Sequence, residues 1–99
     1  VSGQIGLDPI NGMLVDGGIE PQAKQVLLNL NAILKAAGSS PEKILMTSIF
    51  LADIADAKLV NELYSGFVNP ENPPARQTMA VRSIPLGALV EISLIAATK

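Results

Sequence analysis

The sequence predicts an α+β domain in the order βαβαββ, with a mixed sheet and two helices packed on one of its faces. Three observations lead there. Apolar residues recur at helical spacing over two segments, residues 20–37 and 56–67. Four short runs rich in Ile, Leu, Val, Ser and Thr have the character of strands. Gly- and Pro-containing stretches separate these segments from one another. Two β-α-β crossovers in that order imply parallel strand pairs with both helices stacked on one side.

Taken in order, VSGQIGLDP reads as a short strand running into a turn. In DPINGMLVDGG, Asn11-Gly12 suits a type I′ turn and Gly17-Gly18 a flexible exit. From Glu20 to Ala37, the residues Ala23, Val26, Leu27, Leu30, Ile33, Leu34 and Ala37 form one helical stripe. Pro21 fits the first turn of that helix and Gly38 its stop. Ser40-Pro41-Glu42 reads as a cap opening a short turn.

Ile44 to Ala52 follows as a strand, apolar on both faces apart from Thr47 and Ser48, and so central and buried. A second helix from about Asp56 to Phe67 places Leu59, Val60, Leu63, Tyr64 and Phe67 on one side, with Asp53 and Asp56 as caps. Asn69 to Pro74 is a Pro-rich loop, Arg76 to Val81 a strand, RSIPLG a connection and Leu89 to Ala97 the last strand. The sheet face turned away from the helices stays apolar, with nothing in the chain to cover it. Apolar residues make up 48% of the chain and charged ones 16%, so subunits are expected to close against one another there.

Composition excludes several function classes. Ninety-nine residues suffice for one domain, residues 1–99, and one core. The formal net charge is −2, the seven Lys and Arg are scattered, and there is one Tyr and no Trp. That pattern offers neither a basic stripe nor a stacking platform, so nucleic-acid binding is not favoured. Absence of cysteine removes disulfide and thiolate chemistry and fits a cytoplasmic setting. No apolar run reaches the roughly 20 residues a membrane span needs. Absence of histidine removes the Ser-His-Asp triad, the Cys-His pair and His-bearing zinc sites. Acid–base chemistry must then use Asp, Glu, Lys, Tyr or held water.

Two charged residues stand out. Arg76 follows Pro73-Pro74 at the mouth of a strand, so a planar fork of donors is presented on a stiff approach. Such a group either faces water or grips a carboxylate. Glu91 sits inside LVEISLIAA, where a carboxylate is costly unless it is paired or lines a cleft, or else points to solvent from an edge strand. Burial there would favour its protonated form and suit it to proton transfer. Strands joined by RSIPLG are expected to be neighbours, bringing Arg76 and Glu91 to the same end of the sheet. Gly3 permits close approach of another backbone, and Asn61 lies beside the apolar stripe of the second helix, facing either a cleft or water. Arg82, Lys24, Lys35 and Lys58 read as surface charges.

The stretches SGQI, QVLLNLNAILKAAGSS, FLADIADAKLVNELY, NPPARQT and IPLGALVEISLIA together resemble the RidA/YjgF reactive intermediate deaminases, also called the perchloric-acid-soluble protein or endoribonuclease L-PSP family. The resemblance runs through the whole chain in one register, and PPAR followed by P-x-GALVEI is its most specific part. It implies a chorismate-mutase-like fold and a homotrimer with sites in the clefts between subunits. It also implies hydrolysis of 2-imino acids to 2-keto acids and ammonia, with neither metal nor cofactor.

On that resemblance Arg76 takes the place of the arginine that clamps the substrate carboxylate. Glu91 takes that of the glutamate beside the attacking water. The main chain at Gly3 and Thr78 lines the pocket, with Ser2 and Asn61 nearby. Members of the family begin with a further strand carrying a tyrosine, and this sequence is expected to lack it. Gln77 replaces a small hydroxyl residue after the arginine and is expected to crowd the pocket, and Ala57 replaces a bulkier side chain. The alternatives are a non-catalytic trimer that binds small carboxylates, and the ribonuclease or translation-inhibitor role attached to some relatives.

Overall fold

The computed structural model describes residues 1–98. Its first helix, α1 (Ile19–Ala36), buries Gln22, Ala23, Val26, Leu30 and Leu34, which are spaced to fall on one face. Gly38 ends it at φ +79°. The Ser39 N–H reaches the Leu34 carbonyl and the Gly38 N–H that of Lys35, the paired closure that a left-handed residue permits. A short 3₁₀ turn over Pro41–Lys43 then leads into strand β1 (Ile44–Leu51).

Helix α2 (Ala57–Ser65) follows a 3₁₀ turn at Ile54–Asp56, whose entry is capped by the Asp53 side chain accepting from the Ala55 N–H at 2.9 Å. Asp56 stands at the N-cap of α2 without a side-chain bond, so only one of the two expected caps forms. Strands β2 (Ala75–Ala80) and β3 (Val90–Ala96) complete the sheet. The sheet is mixed, as expected: its order is β2-β1-β3, with β2 parallel and β3 antiparallel to β1. Both helices lie on one face, where Val26, Leu30, Leu34, Val60 and Tyr64 pack on Ile49, Leu51, Val90, Ile92 and Leu94.

Three expectations change. The opening segment forms no regular strand. Its isolated bridge pairs Gln4 with Ile92, and Val1 exchanges backbone bonds with Leu94, so residues 1–4 run along the outer edge of β3, away from β1. The first crossover is therefore split, with β3 inserted between its two arms. The Asn11-Gly12 pair makes no type I′ turn, since only Gly12 has positive φ (+71°). Instead, the Asp8 and Asn11 side chains accept from the N–H groups of Ile10 and Met13 and round off a wider loop.

The third change matters most for function: β2 and β3 are not neighbours. Residues 81–89 arch over the end of β1, with the Val81 N–H bonded to the Leu51 carbonyl and the Ala52 N–H to that of Leu89. Leu86 turns this arch at φ +61° and Gly87 at +70°.

β1 is central but buried on one face only. Its other face, with Met46, Ser48 and Phe50, continues through Met79 on β2 and Ile95 on β3 as a surface on which Met46, Met79 and Ile95 are exposed. Among the described residues no helix is long and apolar enough to cross a membrane.

Candidate functional site

Strand register sorts the candidate residues into two groups. Arg76 pairs with Thr47, and Thr78 with Ile49. Thr47 and Ile49 are buried toward the helices, so Arg76 and Thr78 project to the helix side of the sheet along its β2 edge. Contacts agree with this. The Arg76 Cζ lies 5.9 Å from the centre of the Tyr64 ring on α2, and the Thr78 hydroxyl donates to Asn61 Oδ1 at 3.3 Å.

The Tyr64 ring is buried, and its hydroxyl donates to Thr47 Oγ1 at 2.9 Å. Arg76, Tyr64, Val68, Pro70, Pro73 and Pro74 line a cleft of about 510 Å³. Three of these lining residues are prolines with fixed φ, and Arg76 is exposed. Among the described residues no carboxylate pairs with Arg76, because the sole ion pair there joins Lys24 to Glu20. Its donors are thus available to an outside anion.

Glu91 belongs to the other group. It alternates with Val90 and Ile92, which are both in the core, so it projects from the opposite face of the sheet. It is half-buried rather than enclosed. Its side chain lies over Gly3: a Cβ added to Gly3 would stand 2.6 Å from Glu91 Oε2 and 2.8 Å from its Cδ. Gly3 is therefore needed for the position of this carboxylate, and what approaches it closely is a side chain, not the other backbone that was expected. A small hollow of about 170 Å³ beside Glu91 is lined by Phe50, Val81, Ser83, Ile84 and Pro85. Ser2 is exposed next to Gly3, and its carbonyl accepts from the Gln4 amide at 3.2 Å.

The expectation that Arg76 and Glu91 meet at one end of the sheet is overturned. Arg76 is level with Thr47 and Glu91 with Phe50, on strands that flank β1. Two strand spacings and three residues of rise separate their Cα atoms by roughly 14 Å. A single chain thus carries a cationic group, Arg76 with Thr78, Asn61 and Tyr64, apart from a carboxylate group, Glu91 with Gly3 and Ser2.

Gln77 does not crowd the arginine cleft, because it points to the opposite face and donates to Ser48 Oγ at 3.0 Å. Sequence reasoning missed Tyr64, which it saw only as part of an apolar stripe, and the Phe50–Ser83 surroundings of Glu91. The tyrosine was recoverable in part, since a buried phenol needs a hydrogen-bond partner and Thr47 is the buried hydroxyl of β1.

Comparison with known proteins adds an independent line. The family model described as Endoribonuclease L-PSP matches residues 1–98. The chain is 45% identical over 96 residues to a 2-iminobutanoate/2-iminopropanoate deaminase of Homo sapiens, covering 97% of this chain and 69% of that protein. Among solved structures, RidA from the Antarctic bacterium Psychrobacter superposes with TM-score 0.91 at 36% identity, covering 97% of this chain and 76% of that one. TdcF of E. coli, solved with bound serine, superposes with TM-score 0.87 at 33% identity, covering 96% and 76%.

Proposed function

Since this chain belongs to the RidA/YjgF/L-PSP family, we propose that it hydrolyses 2-imino acids to 2-keto acids and ammonia, in clefts formed between copies of itself. The observation that carries this reading is Arg76. Its guanidinium is set on an edge strand against the Tyr64 ring, lining a cleft and without an acidic partner among the described residues. A fork of donors so placed matches a carboxylate in two parallel hydrogen bonds. A 2-imino acid supplies that carboxylate, with the electrophilic carbon directly beside it.

The reaction needs one water and no covalent nucleophile, which suits a chain without Cys or His. Arg76 holds the substrate carboxylate and so orients the C=N group. Water adds to the iminium carbon, and Glu91 accepts the proton that it releases. Glu91 then returns that proton to the carbinolamine nitrogen, the C–N bond breaks as ammonia leaves, and Glu91 takes the hydroxyl proton as the oxygen becomes the keto group. Main-chain groups at Gly3 and Thr78, with Ser2 and Asn61, line the pocket in this reading.

The division of the site supports association of copies. Arg76 sits at the β2 edge and Glu91 beside residues 1–4 at the other. A head-to-tail ring that sets the β2 edge of one protomer against the Gly3–Glu91 edge of the next completes a site at every seam. The exposed apolar sheet face with Met46, Met79 and Ile95 is covered by the same closure. A homotrimer with the chorismate-mutase-like arrangement meets these requirements, and cytoplasmic imine clearance is the setting that suits it.

The test is release of 2-ketobutyrate from enzymatically generated 2-iminobutanoate. The parent is expected to accelerate it over buffer, and Arg76→Ala to lose about 10- to 100-fold in kcat/KM, the scale of a charge-assisted bidentate contact. Equal rates for the two proteins would overturn the assignment. Tight 2-ketobutyrate binding without acceleration would leave a carboxylate-binding module in its place.

A further inference from the structure

We infer that Tyr64 is a positioning residue for the Arg76 guanidinium, holding it as a preset anion-binding fork from a platform tied to Thr47. The inference rests on the reading of Arg76 as the carboxylate-binding group and goes on to assign what orients it.

Three observations converge. The Tyr64 ring stands 5.9 Å from Arg76 Cζ, within the range in which a guanidinium is drawn to an aromatic face. That ring cannot swing away, because it is 4% exposed and its hydroxyl is bonded to Thr47 Oγ1 at 2.9 Å. Thr47 is in turn the register partner of Arg76 across the parallel ladder. The backbone of β2 and the side chain of α2 therefore meet at the same point of β1. Main-chain pairing fixes the root of Arg76, and the ring constrains its tip.

An arginine on an exposed edge strand otherwise samples many rotamers, and binding a carboxylate must stop that motion. A ring beneath the guanidinium removes part of this cost in advance and leaves the fork at the cleft lined by Pro73 and Pro74. A tyrosine serves better here than an aliphatic residue of similar size, which would fill the core but present no π face. Tyr64 touches no reacting atom in this scheme and acts through Arg76.

Two variants isolate the ring. Tyr64→Phe and Tyr64→Leu both deprive Thr47 of its buried partner, and only the leucine removes the aromatic face. Calorimetry with 2-ketobutyrate is expected to show Tyr64→Phe binding within about twofold of the parent and Tyr64→Leu about three- to fivefold weaker. In turnover the leucine variant should raise KM with little change in kcat, the pattern of lost uniform binding. The Arg76 Hδ resonances should be displaced upfield by the ring in parent and phenylalanine variant, and return to ordinary positions in the leucine variant.

Equal weakening by Phe and Leu would overturn the inference, as would undisplaced Arg76 resonances in the parent. The resonance test does not depend on turnover. If the parent neither binds 2-ketobutyrate nor hydrolyses the imine, the functional reading fails on its own. The ring-current shift then decides whether Tyr64 holds Arg76.

Discussion

Arg76 and Glu91 project from opposite faces of one sheet, on the two strands that flank β1 and level with Thr47 and Phe50 respectively. No side-chain rearrangement within one chain brings them onto a single small acid. If they serve one reaction, they do so in pairs drawn from different copies. That makes the arrangement testable by mixing.

Arg76→Ala and Glu91→Gln are each expected to keep at most about a tenth of the parent activity as pure proteins. Refolded together in equal amounts, they should recover roughly a quarter of the parent activity, because in a head-to-tail ring one seam in four pairs an intact Arg76 with an intact Glu91. The imine hydrolysis assay reads this directly. No recovery in mixed rings, verified by mass spectrometry to contain both variants, would show that each site draws both residues from one copy.

Gly3→Ala tests the carboxylate group. The new methyl would occupy space now taken by Glu91 Oε2 and Cδ, and the carboxylate is the flexible end that must give way. Gly3 is exposed and not among the positive-φ glycines, so stability should change by less than about 0.5 kcal/mol. Activity should fall by about tenfold or more, because displacement of a reacting group by an ångström is costly. Urea denaturation and initial rates on the same preparation separate the two effects. A large loss of stability would mean that Gly3 is needed for folding instead.

Thr47→Val leaves the Tyr64 hydroxyl buried without its partner and should cost about 1–3 kcal/mol. Thr47→Val combined with Tyr64→Phe removes both ends of the bond and should cost less than the sum of the single changes by about 1 kcal/mol. Chemical denaturation of the four proteins gives the coupling. Strict additivity would show that the 2.9 Å contact contributes nothing specific.

Gln22 ties α1 to the entrance of β3, since its side-chain oxygen accepts from the Leu89 N–H at 2.8 Å while the residue is 7% exposed. Gln22→Leu leaves that part-buried N–H without its partner, with an expected cost of about 1 kcal/mol. The loss should appear first as faster amide exchange at Leu89 and Val90. Unchanged exchange there would mean that the arch at residues 81–89 is held from elsewhere.

Much of the fold was legible because local chemistry set it. Helix α1 begins and ends within a residue of the expected segment Glu20 to Ala37, and Gly38 stops it by adopting the positive φ that other residues resist. Strands β1, β2 and β3 lie where branched and apolar runs put them. Strand order was not legible from composition and period. A nine-residue connection is longer than hairpin loops usually are, and that length lets residues 81–89 step across β1. The first segment is held to the β3 edge at Gln4–Ile92 and Val1–Leu94, too few pairings for a regular strand.

The sequence by itself determined which groups were on offer: a guanidinium behind two prolines, a carboxylate in an apolar strand, and neither thiol nor imidazole. Those are properties of residue type and near neighbours, and they need no fold to be read. Only the tertiary structure decided which groups share a surface. Side chains alternate along a strand, and one step of register or one inserted strand moves a residue to another face or another edge. Thus Tyr64 became the companion of Arg76 and Gly3 that of Glu91, while Gln77, one residue from the arginine, was carried to the far side.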